Sequence, residues 1–453
     1  MKGVSSHEEL ERALDEHGIR HHKMAAFDID GVMRGKYVER SKFLSSAKSG
    51  FGFCDVVMGW DSQDALLDNL KVSGWHTGYR DAPVALDLGT LRKIPFEPDT
   101  AMLIGSFTGD YAAVCPRNLL AKVVDKAKSM GLSPLGSLEY EFFVFDETPE
   151  SVREKGYRNL KPLTPGMFGY SMLRSGVHHE IYHEILDTMA QLRCPVEGLH
   201  TETGPGVIEA ALGYTDALEA ADRAAIFKTF LKILMQRRKL MATFMAKWSS
   251  QYPGQSGHIH VSMVDGKEGH NVFYDETKPH SMSQLMRWFV AGQLTYMPDV
   301  LAMVCSTVNS YRRLVPGMWA PVSVSWGVEN RTTALRVIEG GPKAQRVEYR
   351  MGPADANPYL ALAAAIATGL RGIEEKLELS DPVVGNAVGT SAKTLPLPTT
   401  LDEAARNLGA SNVAREMFGD AFVDHYAATR EWEVRENRKW VSDWDLARYF
   451  EII

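Results

Sequence analysis

Polar residues recurring at every second position mark the middle of this chain. In Arg346-Val347-Glu348-Tyr349-Arg350 apolar and charged residues alternate, which predicts a β-strand with Arg346, Glu348 and Arg350 on one face. The strand runs into Asn357-Pro358-Tyr359 and then LALAAAIATGL, a stretch apolar enough to be a buried helix. LEYEFFVF (138–145) and GHIHVSM (257–263) alternate in the same way, and the Gly-rich TETGPGVIEAAL (201–212) adds another short strand. Helical periodicity runs through residues 118–131, 176–193 and 216–244. Helices interspersed with such strands predict an α+β domain built on a concave sheet. Upstream, Ser6 caps a helix to about residue 17, with Glu8 and Glu9 in its first turn. Strands over 23–29 and 32–38 flank a hairpin turn at Asp30-Gly31, and short strands are expected within 51–59, at 83–88 and near 101–104. This small sheet-rich region with one clear helix ends around residues 105–115, so the expected domains are 1–108 and 109–453. Residues 385–400 read as a loop before the last helices.

Composition narrows the class. A chain of 453 residues exceeds one compact core. Its net charge of −7, without a basic tract, gives nothing that points to nucleic acid, and no such partner is expected. Cys54, Cys115, Cys194 and Cys305 are far apart, form no CxxC pair and lie in or beside apolar stretches, so they are expected to be reduced core residues. The acidic, polar N-terminus does not read as a signal peptide, and no stretch reaches the ~18 apolar residues of a membrane span. A cytoplasmic protein without a membrane partner is the expectation.

The alternating strands carry the candidate chemistry. Glu139 and Glu141 project from one face of an otherwise apolar strand, where two like charges persist if a cation sits between them or one is protonated. An exposed edge strand is the competing reading. Glu202 and Glu209 flank Gly204-Pro205-Gly206, a turn that can fold the chain back and bring them together; a surface turn explains the same residues. His258, His260 and Ser262 share one strand face, and Glu348 adds a fifth carboxylate to the strand set. Oxygen-dominated ligation with one imidazole suits Mg²⁺ or Mn²⁺ better than structural zinc. Six ligands over two sites describe a pair of divalent ions, the arrangement that clamps phosphates in displacement reactions. Arg313, Arg331, Arg336, Lys343, Arg346 and Arg350 supply cations for the phosphate charge. A structural ion-pair network is the alternative for Arg346, Glu348 and Arg350. P-loop and dinucleotide-binding glycine patterns are absent.

In LEYEFFVFD, HTETGPGVIEAAL, GHIHVSM, NSYRRLVPGMWAPV, ENRTTALR and KAQRVEYRMGPADANPYL, the sequence resembles the glutamine synthetase family of the prokaryotic type, most closely its γ-glutamyl–amine ligases. The resemblance spans nearly the whole chain. It implies a small β-grasp N-terminal domain, a large catalytic domain with a concave antiparallel sheet, and a homo-oligomer of two stacked rings, commonly a dodecamer, with active sites at subunit boundaries. It implies ATP as cosubstrate and a γ-glutamyl phosphate that an amine attacks. Carried over by motif, Glu141, Glu202 and Glu209 hold one metal, and Glu139, His258 and Glu348 the second. Glu197, His260, Ser262, Lys343 and Arg336 fall on the nucleotide side. Arg331 and Arg346 stabilise the transferring phosphoryl group, and Gly254, Arg313 and Arg350 hold glutamate.

The sequence departs from that family at the amine. Ammonia-using members carry a glutamate where this chain has Trp319, flanked by Met318. An indole accepts no proton, but it packs against alkyl carbon and attracts a small alkylammonium. The family's Asp-Gly-Ser-Ser ammonium stretch is missing, and within FGFCDVVMGWDSQD Asp61 is preferred over Asp55 as the amine-site acid. Pro253 replaces an asparagine before Gly254. The expected function is ligation of glutamate to a small alkylamine such as methylamine. The rivals are an ammonia-using glutamine synthetase and a catalytically inactive structural relative.

Overall fold

A computed structural model describes residues 3–388 and 397–453. Among these residues the strands form two sheets. The first contains β1 (His21–Phe27), β2 (Met33–Val38), β3 (Phe51–Cys54), β4 (Asp81–Lys93) and β5 (Thr100–Phe107), in the order β2-β1-β5-β4-β3. β1 and β5 pair in parallel at its centre, and the other pairs are antiparallel. Both faces are covered. Met24 and Ala26 enter a core shared with Leu10, Leu14 and Phe43 of the helices His7–Glu16 and Arg40–Ser49. Ala25 and Phe27, one position away, enter the main core.

The second sheet contains β6 (Leu132–Phe145), β7 (Val196–Thr201), β8 (Val207–Leu212), β9 (Thr215–Asp216), β10 (Met241–Thr243), β11 (Gly257–Asp265), β12 (Trp326–Val328), β13 (Leu335–Ile338) and β14 (Arg346–Tyr349). Its main path runs β12-β13-β14-β11-β6-β8-β7, with β9 and β10 paired to β6. Leu138, Tyr140, Ile259, Val261, Val347 and Tyr349 point to the buried side, which carries the helices Pro116–Ser129, Ala217–Arg237 and Pro358–Glu375. The opposite face carries the acidic and basic side chains. Polar contacts, most of them buried, tie the first sheet to the elements behind the second and those elements to one another. Arg92 donates to Leu192 O (3.1 Å) and Glu219 (2.9 Å), Arg117 pairs with Asp222 (2.9 Å), and Asn357 Nδ2 donates to Ile29 O (3.0 Å).

The α+β architecture and its main strands are as expected; several boundaries are not. The helix expected over 176–193 is two, Met172–Val177 and His179–Gln191, divided at His178. The helix expected over 216–244 ends at Arg237, and after Lys239 (φ 58°) the apolar run pairs with β6 as β10. Only four residues of 51–59 are strand, followed by a 3₁₀ turn, whereas the strand expected at 83–88 extends over all of β4. A second N-terminal helix, Arg40–Ser49, has a Ser- and Lys-rich sequence without a clear apolar stripe; Glu39 caps it by accepting from Ser41 N and Lys42 N. Three cysteines are buried, Cys54 is half-buried, and all are free. No helix among the described residues is long and apolar enough to cross a membrane. Of the loop expected over 385–400, residues 389–396 lie outside the described residues.

Candidate active site

The polar face of the second sheet is assembled by register. β6 and β11 place Glu139 opposite His258; β11 and β14 place His260 opposite Glu348. β6 and β8 place Glu141 opposite Glu209, and β7 and β8 place His200 opposite Glu209. The Gly204-Pro205-Gly206 turn does fold the chain back: Glu202 N donates to Val207 O (3.2 Å), and Gly206 takes φ 73° where a Cβ would lie 2.6 Å from Val144 O. Glu139, Glu141, Glu209, His258, His260 and Glu348 are thus brought to one face of the sheet.

Two cavities meet there. One, of about 590 Å³, is lined by all six expected metal ligands, Glu139, Glu141, Glu202, Glu209, His258 and Glu348, and by Gly254, Arg313, Arg331, Arg336, Arg350 and Trp319. The other, of about 500 Å³, is lined by Glu197, His260, Ser262, Lys343 and Arg346. Glu139 borders both.

Glu348 is the electrostatic centre. It is 1% exposed. It accepts from Arg350, and its Oε2 lies 3.1 Å from Arg336 and its Oε1 3.2 Å from His258 Nδ1. Burial opposes its charge, but His258 and Arg350 hold its carboxyl down at about 2. The two guanidiniums on this carboxylate are Arg336 and Arg350. Arg346, expected in that place, instead donates to His260 Nδ1 (3.2 Å) and Ala344 O (2.9 Å). Nε2 of the same ring faces Glu139 at 3.2 Å. Glu139 stays well below the usual carboxylate range because His260 and His258 outweigh its burial. Arg336, expected beside the nucleotide, lines the cavity of the metal ligands.

Among the described residues no guanidinium is bonded to the second carboxylate cluster, although the charge of Arg313 acts on Glu141. Burial and the charge of Glu209 push the Glu141 carboxyl up to about 7, although Ser256 N donates to it at 2.7 Å. His200, not singled out from the sequence, is drawn in: its Nε2 lies 3.5 Å from Glu209, and Tyr170 stacks on its ring at 4.3 Å. Burial opposes its charge, but Glu209 holds the imidazole at about 8. Two groups of donors lie close enough to share an ion, Glu139–His260–Glu348 and His200–Glu202–Glu209, each within 4.8 Å. His258 Nδ1 also faces Glu348 and Glu139, and its buried Nε2 has no partner among the described residues. Crowded carboxylates, one pushed towards protonation, together with these imidazoles fit hard divalent cations. His200 stands at the end of β7, two residues before Glu202, and that spacing is the sequence signal for it.

The remaining expected residues divide by position. Arg313 is buried and donates to Met351 O (3.2 Å) and Arg350 O (3.4 Å). A Cβ at Gly254 would lie 2.7 Å from Arg313 Cγ and 2.6 Å from Ala246 O, so only glycine admits that approach. Arg331 and Lys343 are exposed and make no hydrogen bond or ion pair among the described residues. Trp319 is 64% exposed, with φ 59°. Asp61 is not brought to this site; it lines another cavity with Trp60, Lys228 and Arg430. Asp55 is fully buried and accepts from Thr77 and Tyr111, both at 3.0 Å.

Clustered carboxylates for divalent ions, beside free cations for phosphate, define a site for phosphoryl transfer. The glutamine synthetase catalytic domain model matches residues 113–449, and the chain belongs to the glutamine synthetase family. It is 45% identical over 440 residues to type-1 glutamine synthetase 2 of Dictyostelium discoideum, covering 95% of this chain and 84% of that protein. It is 37% identical to a glutamate–isopropylamine ligase of a Pseudomonas species over 97% of both chains. It is 35% identical to a gamma-glutamylethanolamide synthetase of Streptomyces coelicolor, over 94% of this chain and 91% of that one. The solved structure of apo GmaS superposes with a TM-score of 0.85 at 26% identity, covering 98% of this chain and 99% of that one. The protein is an ATP-dependent carbon–nitrogen ligase.

Proposed function

We propose that the enzyme joins the γ-carboxylate of glutamate to a small alkylamine such as methylamine. The observation that carries this reading is Trp319: an uncharged indole, with Met318, lines the cavity where an ammonia-using member of the family carries a carboxylate. Relatives that bear the names of isopropylamine and ethanolamine ligases support it.

Two divalent ions, Mg²⁺ or Mn²⁺, would be held by Glu141, Glu202 and Glu209, and by Glu139, His258 and Glu348. When bound they neutralise phosphate charge and polarise the transferring group. Glu197, His260, Ser262 and Lys343 bind ATP in the second cavity. Arg313, Arg350 and Gly254 orient glutamate in the first. Its γ-carboxylate is thereby aimed at the γ-phosphorus across Glu139. Arg331, free at the mouth, and Arg346, held by His260, take up the charge that develops on the phosphoryl oxygens. Phosphorylation turns a poor leaving oxygen into a good one, and the amine then displaces phosphate. Water must be excluded meanwhile, because the acyl phosphate hydrolyses readily.

The assembly is a homo-oligomer, in the dodecameric form of the family, with Asp61 reaching the site of a neighbouring subunit. Asp61 is favoured over Asp55 because the carboxylate of Asp55 is buried and engaged. The exposed apolar end of the chain supports association: Trp440 is 80% and Phe450 85% exposed. The first sheet reads as a β-grasp domain over 1–108, supported by its parallel central pair and by the family match beginning at residue 113. The compartment is the cytoplasm, supported by the free cysteines. The rival reading, an ammonia-using glutamine synthetase, is favoured by the D. discoideum relative.

Phosphate release from MgATP and glutamate is the test, with ammonium, methylamine, ethylamine, ethanolamine and putrescine at equal free-base concentration. The proposal expects a small alkylamine to give the highest kcat/KM. A preference for ammonium over every amine makes the enzyme a glutamine synthetase with its acid supplied elsewhere.

A further inference from the structure

Arg34 lies on β2, where its neighbours Gly35, Lys36 and Tyr37 are exposed, but its own side chain is only 19% exposed. It reaches away from the sheet edge to the loop that carries Asp61. Its Nε donates to Asp28 Oδ2 (2.8 Å), its Nη1 to Asp64 Oδ1 (2.9 Å) and its Nη2 to Asp61 O (3.5 Å). Its Cζ lies 4.7 Å from the centre of the Trp60 ring. One planar guanidinium therefore touches Trp60, Asp61 and Asp64 of the same loop; a lysine ammonium cannot reproduce that fork.

Both ends of the contact are braced. Asp28 Oδ1 accepts from Asp30 N (3.0 Å) and Val32 N (2.9 Å), which closes the β1–β2 turn. The turn is docked at Ile29 O by Asn357, whose side-chain oxygen caps the helix Pro358–Glu375 by accepting from Tyr359 N (3.0 Å). Eight residues before that cap stands Tyr349, the end of the strand that holds Glu348. At the other end the loop closes on itself: Asp61 N donates to Ala65 O (3.0 Å), and Asp61 Oδ1 accepts from Gln63 N (2.8 Å) and Ala65 N (2.9 Å). Asp61 Oδ2 has no partner among the described residues. The loop thus presents one free carboxylate oxygen, and Arg34 fastens it to the sheet.

We infer that Arg34 is a positioning residue for amine binding, setting where the Asp61 carboxylate stands. This rests on the reading of Asp61 as the amine-site acid. Arg34 touches no substrate in this role, so its loss should leave ATP and glutamate binding alone.

The test uses the full-length enzyme and the variants Asp61→Asn, Arg34→Lys, Asp64→Asn and Arg34→Lys/Asp61→Asn, with KM measured separately for amine, glutamate and ATP. Asp64→Asn is the variant that spares the fold, because the Asp64 side chain is 59% exposed. Asp61→Asn and Arg34→Lys are expected to raise the amine KM by ~10-fold and Asp64→Asn by ~3-fold, with glutamate and ATP KM within ~2-fold of wild type. The double variant should be no worse than Asp61→Asn alone, because the clamp acts only through that carboxylate. If Asp61→Asn raises the amine KM and neither Arg34→Lys nor Asp64→Asn does, the clamp is refuted and Asp61 keeps its role. If Asp61→Asn leaves the amine KM unchanged, the Asp61 reading fails and takes the clamp with it. A parallel rise in all three KM values shows a merely structural residue and overturns the inference.

Discussion

Replacing Trp319 by alanine tests the proposed amine pocket at the residue that carries the reading. An indole attracts an alkylammonium by ~0.5–1 kcal/mol when exposed and ~2 kcal/mol when desolvated. Trp319 is 64% exposed in the single chain, which places it at the lower end. Trp319→Ala should therefore lower kcat/KM for methylamine or ethylamine by ~2–5-fold, rising towards ~30-fold if a neighbouring subunit covers the ring. Ammonium, with no alkyl carbon to pack, should lose less, so the alkylamine-to-ammonium ratio is the quantity to read. Trp319→Glu should invert that ratio, because a carboxylate accepts a proton from ammonium and offers no apolar face. Alanine and glutamate keep a Cβ at φ 59°, so both carry the backbone strain of the native residue and the comparison stays clean. Glycine would release that strain and confuse stability with specificity. The assay is phosphate release at saturating MgATP and glutamate, with the amine varied. Equal loss for ammonium and alkylamine after Trp319→Ala would refute the reasoning, since the indole would then close the site without choosing the amine.

Three further outcomes follow, two at the site and one at the buried Glu433 beside Arg430, in the cavity that Asp61 lines. Arg331→Gln removes a cation with no partner among the described residues, so kcat should fall ~10²-fold or more while the protein's thermal midpoint holds; a KM effect alone would place Arg331 in binding. Gly254→Ala drives a Cβ to 2.7 Å from Arg313 Cγ, and the glutamate KM should rise ~10-fold or more with the ATP KM unchanged. Burial pushes the Glu433 carboxyl up to about 7 against the pull of Arg430. A folded value raised above the ordinary 4.5 gives stability that is present below pH ~4.5 and lost as pH rises towards 7. Glu433→Gln keeps an oxygen for Val308 N and should therefore unfold at higher denaturant than wild type at pH 8, by ~1–3 kcal/mol, and match it at pH 4.5.

The candidate site was legible in the sequence where chemistry and periodicity coincide on one strand. Glu139 and Glu141, His258 and His260, and Glu209 beyond its turn each sit where a period of two places them. Partners across strands were less legible. Arg346 and Arg350 both stand two residues from Glu348 on one strand; Arg350 makes the contact, whereas Arg346 turns to His260 of β11, a cross-strand partner that spacing along one strand does not reveal. Register puts Arg336 opposite Glu348, and Arg336 takes the contact. His200 stands just before the stretch 201–212 that reads as a strand, whereas the strand that carries it, β7, ends at Thr201. The division of 172–191 at His178 follows from Gly176 in the last turn of a short helix, a break that a continuous apolar pattern conceals.

On the proposed reading, phosphoryl transfer and amine choice are carried by different kinds of structure. Glu139, Glu141, Glu209, His258 and Glu348 stand on strands of one sheet, locked by register and backed by the main core. Moving any of them shifts a strand against buried Tyr140, Val261 or Tyr349. Trp319 stands on an exposed loop, and Asp61 on a turn closed by its own hydrogen bonds. Changing either disturbs no layer of the core, so the amine can change while phosphoryl transfer is kept. On this arrangement, substitutions in the two loops should alter amine preference with little change in glutamate-dependent ATP turnover, whereas strand substitutions should abolish turnover with every amine alike. A strand variant that changed only the amine preference would break that division.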